Sequence, residues 1–190
     1  MKSRKLIIFY SIVILLSSVQ LSAQTIQQRP ENWAIKVEIC HLENFYKLND
    51  SIFRSEQPDE IEFGCLGKIG IKSVLNLRSH HTDSCLLDGT TIKPFTVEMV
   101  ANNFTDNEII QSLRILKYGP KPMAVHCLHS SDRTGVVIAM YRIIFEYWTR
   151  KQALDELQNG GFGFHAQYKN IIEYVKNVDV ELIKRNVLKM

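Results

Sequence analysis

The architecture of this 190-residue chain is inferred first from residues 125–137, VHCLHSSDRTGVV. An apolar strand pattern leads into Cys127, a short polar loop follows as far as Arg133, and an apolar helix pattern opens at Thr134. A loop that closes onto a helix N-terminus points several backbone N–H groups inward, and the helix dipole adds partial positive charge. The segment therefore predicts an anion-binding loop between a strand and a helix.

Two side chains of this loop predict a reaction as well as a binding site. The guanidinium of Arg133 is a planar fork that can clamp two phosphate oxygens. A cysteine at the mouth of such a loop, here Cys127, is expected to be stabilised as the thiolate, which is the nucleophilic form. The pattern thus indicates phosphoryl transfer to sulfur, followed by hydrolysis.

The pattern is specific to one of the four cysteines. A Cys with an Arg six positions later is a weak signal alone, but His126, Thr134, Gly135 and the apolar flanks make coincidence improbable. The residues six positions after Cys40, Cys65 and Cys85 are Tyr46, Ile71 and Thr91. The segment around Cys127 resembles the HCxxGxxR(S/T)G loop of the protein tyrosine and dual-specificity phosphatase superfamily.

The resemblance to this superfamily covers roughly residues 44–187, the length of a whole domain. FRSEQP at 53–58, a helix pattern and GIKSVLNLRS at 70–79 are similar to the opening of bacterial dual-specificity-type phosphatases. Residues 141–165, YRIIFEYWTRKQALDELQNGGFGFH, resemble the helices that follow the loop in the same group. The resemblance implies a cysteine-dependent phosphatase domain.

The resemblance also implies roles for the loop residues. Cys127 is the expected nucleophile that forms a phosphocysteine, and Arg133 is the expected clamp on phosphate and on the transition state. Thr134 is expected to donate a hydrogen bond to the sulfur and ease its departure. Phosphate is expected to bind the backbone amides of Leu128, His129, Ser130, Ser131, Asp132 and Arg133. His126 is expected to orient the cysteine, and a strand-end histidine with ordinary hydrogen bonds is the alternative.

The general acid has several candidates. Many relatives carry an Asp about thirty residues before the Cys to protonate the leaving oxygen. Here Glu98 is the only acid in residues 91–102, so Asp132 inside the loop is favoured, as in members whose loop ends in DRTG. The alternatives are Glu98 and Asp106, although Asp106 is also explained by the first turn of a helix. Asp132 could instead be a structural carboxylate that accepts loop amides or pairs with a nearby cation.

Ser130 stands where the family pattern has Gly. If this position requires positive φ, a serine there carries a cost on the order of 1 kcal/mol. The departure leaves a catalytically weak phosphate-binding module as an alternative function. Hydrolysis of a lipid or inositol phosphate is the alternative reaction.

The favoured function is hydrolysis of phosphate monoesters, namely phosphotyrosine and also phosphoserine or phosphothreonine. The expected partner is a phosphorylated protein or a small phosphate ester. No cofactor and no metal are expected, because the spacings of the His and Cys residues fit no ordinary zinc pattern. The chain has 23 Lys and Arg against 20 Asp and Glu, and three of the bases lie in the first 23 residues. The remainder balances, so no nucleic-acid partner is predicted.

Three segments are predicted along the chain. Residues 1–23 combine a basic MKSRK, an apolar LIIFYSIVILL and a small residue at Ala23. This is the layout of a signal peptide cleaved after Ala23, and a retained membrane anchor is the alternative. Residues 24–43 are a predicted N-terminal extension, and 44–190 a dual-specificity-phosphatase-like catalytic domain. The protein is expected to be exported, periplasmic or secreted, with no further membrane span.

Outside the signal segment, strand and helix patterns alternate. They predict a single α/β domain with a central, mostly parallel sheet flanked by helices. A hairpin is predicted over 44–54 around Asn49-Asp50, and an edge strand over 92–97 because of Pro94. The other predicted strands are 72–79 and 123–127, and the predicted helices are 59–70, 106–118, 134–148, 151–158 and 165–177.

The first predicted helix bears on the state of the cysteines. Its predicted apolar face consists of Ile61, Cys65, Leu66 and Ile69. Cys65 is therefore expected to be a buried free thiol. Export would also allow pairing among Cys40, Cys65 and Cys85, which leaves Cys127 free.

Overall fold

The computed structural model describes residues 29–189, and the predicted signal peptide at 1–23 lies outside the described residues. The strands of this range are β1 (Ile35–Lys36), β2 (Tyr46–Lys47), β3 (Ile52–Ser55), β4 (Ser73–Arg78), β5 (Lys93–Met99) and β6 (Met123–His126). They form one six-stranded sheet in the order β1-β2-β3-β6-β4-β5.

The central strand is β6, because both β3 and β4 pair with it in parallel. β5 pairs in parallel with the outer side of β4, whereas β1 and β2 form the antiparallel end of the sheet. The predicted hairpin is confirmed: β2 and β3 are antiparallel, and Asn49 Oδ1 accepts from the N–H of Ser51 and of Ile52, each at 2.9 Å. The predicted mostly parallel sheet is also confirmed, and Cys127 directly follows its central strand.

Helices cover both faces of the sheet. They are α1 (Glu60–Lys68), α2 (Asp106–Tyr118), α3 (Arg133–Phe145), α4 (Arg150–Asn159), α5 (Lys169–Asn177) and α6 (Val180–Leu188). The smaller apolar cluster includes α1 and Val74 of β4, whereas the larger one includes α2 to α6 and the adjacent Leu75. Neighbouring strand residues point to opposite faces, so the domain has three layers. Within residues 29–189, no helix has the length and apolar character needed to cross a membrane.

The apolar face predicted for α1 is correct at Leu66 but wrong at Ile61 and Ile69. Ile61 and Ile69 are 82% and 42% exposed, whereas Phe63 and Leu66 are buried. The start of the helix agrees with the prediction, since Asp59 is the N-cap residue in a capping box. The helix is only nine residues long, so two side chains three positions apart are enough to cover its contact with the sheet.

Cys65 forms a disulfide with Cys40, which corrects the prediction of a buried free thiol. Because Phe63 and Leu66 occupy the buried positions of α1, Cys65 lies on the flank of the helix and is only partly buried. The Cα atoms of the two cysteines are 5.5 Å apart. The bridge therefore ties α1 to the segment that precedes the hairpin.

Replacing Cys40 and Cys65 together with alanine is expected to lower the free energy of unfolding by about 2–4 kcal/mol, because the bridge restricts the unfolded chain. Urea unfolding without reductant measures the difference. The matched control is Cys85→Ala, which removes an exposed free thiol. It should leave stability within about 0.5 kcal/mol of wild type. A double variant as stable as the wild type would contradict the expectation.

Besides the short 3-10 helix Ser84–Leu87, two observed elements, β1 and α6, have no counterpart among the predicted ones. Both residues of β1 are exposed, so no alternating pattern marks this strand. α6 does carry a signal: the side chain of Asp179 accepts from the N–H of Leu182 at 2.9 Å, and Ile183 and Val187 are buried four positions apart. The capping residue and the apolar spacing together are typical of a short amphipathic helix.

The described part of the predicted extension packs against the helices. The N–H of Ala34 donates to Glu156 Oε1 at 2.7 Å, and Arg29 Nη1 donates to the carbonyl of Gly160 at 2.7 Å. Ala34 is fully buried. These residues thus contribute to the core on the side of the sheet where α4 lies.

Candidate active site

The loop of residues 127–132 joins β6 to α3 at the carboxyl end of the central strand. This edge of an open α/β sheet is where ligands bind in such folds. Cys127 is buried, with 2% of its surface exposed, whereas Leu128 is 41% exposed. The structure thus places the predicted nucleophile beneath a loop that is partly open to solvent.

The N-terminus of α3 gives the loop its attraction for anions. Arg133 is the first residue of α3 and is partly exposed, so its guanidinium can reach a ligand. Asp132 is the N-cap residue, yet its side chain makes no capping hydrogen bond in the described structure, which leaves first-turn N–H groups for phosphate oxygens. Thr134 Oγ1 is buried without a partner among residues 29–189. Its predicted hydrogen bond to the Cys127 sulfur stays a prediction.

Arg54 of β3 supports the loop at Ser130. Ser130 has a φ of 63°, so this position does require the left-handed conformation that favours glycine. Arg54 is 1% exposed; its Nε donates to Ser130 Oγ at 3.2 Å and its Nη2 donates to the Ser130 carbonyl. Burial lowers the pKa of Arg54 to about 10, which keeps it charged at neutral pH. The bond to the serine hydroxyl, which glycine could not make, offsets part of the conformational cost.

Arg54 is not among the residues that the sequence analysis predicts for the site. Its guanidinium lies 3.7 Å over the ring of Phe162. The available signal is a charged residue directly after the two apolar residues that begin β3, because an arginine buried in a strand needs specific acceptors. This signal indicates that Arg54 has specific acceptors, but it does not identify Ser130 as the acceptor.

His126, the residue before Cys127, is held by Asp83. Its Nε2 donates to Asp83 Oδ2 at 2.9 Å, and both side chains are buried; Gln57 Nε2 donates to Asp83 Oδ1 at 3.0 Å. Burial alone would raise the pKa of Asp83, but the bond and charge of His126, then Gln57 and His81, outweigh it and lower this pKa. The ring nitrogen Nε2 thus has a hydrogen-bond partner, which agrees with the alternative interpretation of His126 as a strand-end histidine with ordinary hydrogen bonds. Its proposed role in orienting the cysteine remains a prediction.

Asp83→Asn is expected to lower the free energy of unfolding by about 1–3 kcal/mol near neutral pH, because a buried acceptor of two hydrogen bonds loses its charge. The pKa of Asp83 is below its ordinary 3.8 in the folded protein, so its contribution is fully present above pH 3.8. That contribution disappears as the pH falls through the folded pKa. Urea unfolding of both proteins across this pH range measures it. A difference that stays constant down to the lowest pH would contradict the expectation.

The carboxylate of Asp132 is paired with His165. Oδ1 accepts from the His165 N–H at 3.1 Å, and Oδ2 accepts from His165 Nδ1 at 2.9 Å. Asp132 thus makes the contacts of a structural carboxylate, which is the predicted alternative to a general acid. His165 is not predicted as a site residue. The only nearby feature of the sequence that could have drawn attention to it is the group of glycines at 160, 161 and 163.

The other two acid candidates have different positions. Glu98 is exposed on β5, the edge strand. Asp106 is the first residue of α2, and its Oδ1 accepts from the hydroxyl of Tyr174 at 2.8 Å. Burial, together with this bond to Asp106, raises the pKa of Tyr174. No hydrogen bond links Glu98 or Asp106 to loop residues 127–133 in the described part of the chain.

The outer side of the loop is braced by residues 160–165. Ser131 Oγ donates to the carbonyl of Phe162 at 2.8 Å. Asn44 Nδ2 donates both to the same carbonyl at 2.9 Å and to the carbonyl of His129 at 2.6 Å. The loop is therefore held in shape from two distant parts of the chain. Between residues 29 and 189, no three His, Cys, Asp or Glu side chains are grouped so that they could hold a metal ion.

Comparisons with known proteins agree with this geometry. A family model described as "Tyrosine phosphatase family" matches residues 39–190. The dual specificity protein phosphatase TpbA of Pseudomonas aeruginosa is 29% identical over 162 residues, which is 84% of this chain and 73% of that protein. Two crystal structures of P. aeruginosa TpbA, one of a variant in complex with pTyr, each have a TM-score of 0.76 at 28% and 27% identity, covering 85% of this chain and 99% of the other. The catalytic core of a PP-IP phosphatase from S. cerevisiae has a TM-score of 0.65 at 25% identity, covering 78% of this chain and 96% of that one.

Proposed function

Since this chain belongs to the tyrosine phosphatase family, we propose that it hydrolyses phosphotyrosine, and also phosphoserine or phosphothreonine, through a phosphocysteine at Cys127. The observation that carries the proposal is the position of Cys127, buried at the end of the central strand and followed six residues later by Arg133 at the start of α3. The complex of TpbA with pTyr supports phosphotyrosine as the substrate.

The loop supplies the parts that this reaction needs. Backbone N–H groups of residues 128–133 and the guanidinium of Arg133 hold the phosphate oxygens, where negative charge develops. The Cys127 sulfur attacks phosphorus, and the bond from phosphorus to the ester oxygen breaks. Water then attacks phosphorus, the phosphorus–sulfur bond breaks, and Thr134 donates to the departing sulfur. Phosphate is released and the thiolate returns.

The ester oxygen must take a proton as it leaves. Asp132 belongs to the loop itself, directly before Arg133, and its Oδ2 lies 2.9 Å from His165 Nδ1. Glu98 on the edge strand and Asp106 at the start of α2 have no comparable link to the loop in the described residues. We therefore propose that the acid step uses Asp132 together with His165, which is hydrogen-bonded to it.

An inositol phosphate is the second candidate substrate. The similarity to the catalytic core of the yeast PP-IP phosphatase favours it. A phosphate-binding module without turnover is less well supported. The argument for it depended on Ser130, which stands where the family pattern has glycine. Arg54 supplies hydrogen bonds to both oxygens of Ser130, so the serine is accommodated within the loop.

Export is proposed as well. The pattern of residues 1–23 favours a signal peptide, and the disulfide between Cys40 and Cys65 is typical of proteins in oxidising compartments. Fractionation of expressing bacteria, with mass determination of the mature N-terminus, tests the proposal. A mature chain that begins at Gln24 is expected, and an unprocessed chain in the cytoplasm would contradict it.

The experiment for the reaction is phosphate release from four substrates in parallel: a phosphotyrosine peptide, a phosphothreonine peptide, a phosphoinositide and an inositol pyrophosphate. Acid quenching during turnover should trap a phosphoenzyme, and Cys127→Ser provides the blank. Fastest release from the phosphotyrosine peptide supports the proposal. Fastest release from an inositol substrate would establish the second candidate. Phosphopeptide binding without release would establish the binding module.

A further inference from the structure

His165 reaches the loop because the chain before α5 does not start its helix where the sequence pattern predicts. The predicted helix begins at His165, but α5 begins at Lys169, and the N–H of Tyr168 closes a turn onto the His165 carbonyl at 3.0 Å. Gly161 and Gly163 precede this turn with φ of 78° and 73°, values that side-chain-bearing residues rarely adopt. The segment is thus shaped to bring His165 beside residue 132.

The hydrogen bonds of Asp132 occupy both of its oxygens. Oδ1 accepts the backbone N–H of His165, and Oδ2 faces the ring nitrogen Nδ1 of the same residue at 2.9 Å. A proton shared on that axis lies between Oδ2 and Nδ1, whichever atom carries it. It is directed at the imidazole and not at a phosphate in the loop. Asp132 therefore cannot hand this proton directly to a leaving oxygen.

The second ring nitrogen of His165 has a different environment. The side chain of Asp132 is 12% exposed, whereas that of His165 is 44% exposed, so the ring continues from the loop toward solvent. It lines an open cleft of about 390 Å³ beside the loop, together with His129, Glu43 and Glu56. The bond between Nδ1 and the Asp132 carboxylate fixes the orientation of the ring, so the outer nitrogen Nε2 has a defined position at the edge of this cleft.

We propose that His165 is the catalytic acid and base of this phosphatase, with Nε2 as the atom that transfers the proton and Asp132 as the residue that positions it. The inference rests on the proposed phosphocysteine reaction. As the sulfur–phosphorus bond forms and the ester bond breaks, the leaving oxygen takes the Nε2 proton, and neutral His165 stays bonded to Asp132. When water attacks the phosphocysteine, Nε2 takes one proton from that water. The sulfur leaves as thiolate, and the imidazolium is restored.

The decisive variant is His165→Asn. Its amide nitrogen stands close to the position of Nδ1, so it can still donate to Asp132, but it has no atom in place of Nε2. A histidine that only holds Asp132 should tolerate this change. A histidine that donates the proton should not.

Leaving-group dependence is the measurement. For His165→Asn we expect kcat on a phosphotyrosine peptide to fall by about 100-fold or more, because proton transfer by a positioned side chain contributes that much. On dinitrophenyl phosphate, whose leaving oxygen needs no proton, the pre-steady-state burst of dinitrophenol reports phosphocysteine formation alone, and its rate should change by less than about threefold. Added imidazole should restore part of the rate of His165→Ala on phosphotyrosine. His41→Asn, an exposed histidine outside the loop, is the matched control.

Each other result overturns the inference. Equal losses on both substrates would assign His165 a structural role. Full activity of His165→Asn with a leaving-group-dependent loss in Asp132→Asn would make Asp132 the donor and leave the phosphatase reaction standing. Absence of a phosphoenzyme in the wild type on either substrate would instead remove the proposed function itself. Thermal unfolding of each variant confirms that the folded protein is being compared.

Discussion

Cys127→Ser is expected to lower kcat on a phosphotyrosine peptide by about 10⁴-fold or more while phosphotyrosine still binds. Cys127 is a buried thiol that directly follows β6, at the start of the loop that leads to Arg133 and α3, and a thiol group is the stronger nucleophile of the two. A serine hydroxyl at the same place is un-ionised at neutral pH. Removing one member of a catalytic unit commonly costs as much as removing the unit. The phosphate cradle is made of backbone groups and Arg133, so binding does not depend on the sulfur.

Stopped-flow kinetics on the peptide and titration calorimetry with phosphotyrosine measure the two effects separately. Cys85→Ser is the control, because Cys85 is the other free thiol among the described cysteines and lies exposed in the short 3-10 helix Ser84–Leu87. It should change neither quantity. Residual turnover of Cys127→Ser within about tenfold of wild type would show that the sulfur is not the nucleophile.

Glu156→Ala is expected to lower the free energy of unfolding by about 3–5 kcal/mol, a large part of the stability of an ordinary domain. Glu156 and Arg142 are each 2% exposed, and Arg142 Nε and Nη2 donate to the two carboxylate oxygens at 2.9 and 2.7 Å. The same carboxylate accepts the N–H of Ala34. Burial would lower the pKa of Arg142, but Glu156 and Glu146 outweigh it and raise this pKa, so the alanine variant leaves a charge largely uncompensated.

Equilibrium unfolding in urea measures the loss. Glu146→Ala is the matched control, because Glu146 pairs with the same arginine but its side chain is 21% exposed. Solvent screens that pair, so its loss should be about 1 kcal/mol or less. A Glu156→Ala variant that unfolds at the same urea concentration as Glu146→Ala would contradict the idea that the buried pair holds α3 to α4.

Much of the fold could be predicted because its signals are local. The capping residues Asp59 and Thr105 mark the starts of α1 and α2, and Asn49 marks the turn of the hairpin. The predictions were wrong where one local sequence pattern is compatible with more than one packing arrangement. The apolar residues of α1 allow two faces that share Leu66, and only packing against the sheet selects the one with Phe63 over the one with Ile61.

The sequence by itself determined the loop between β6 and α3, because a strand, a cysteine, an arginine and a helix start are consecutive in the chain and their geometry follows from backbone dihedrals. The tertiary structure alone decided what holds that loop. Arg54 lies 76 positions from Ser130, Asp83 lies 43 from His126, and His165 lies 33 from Asp132. No periodicity links residues so far apart. Such partners are selected by burial, because a polar group taken from water must find an acceptor or donor within reach, and only the folded chain determines which one that is.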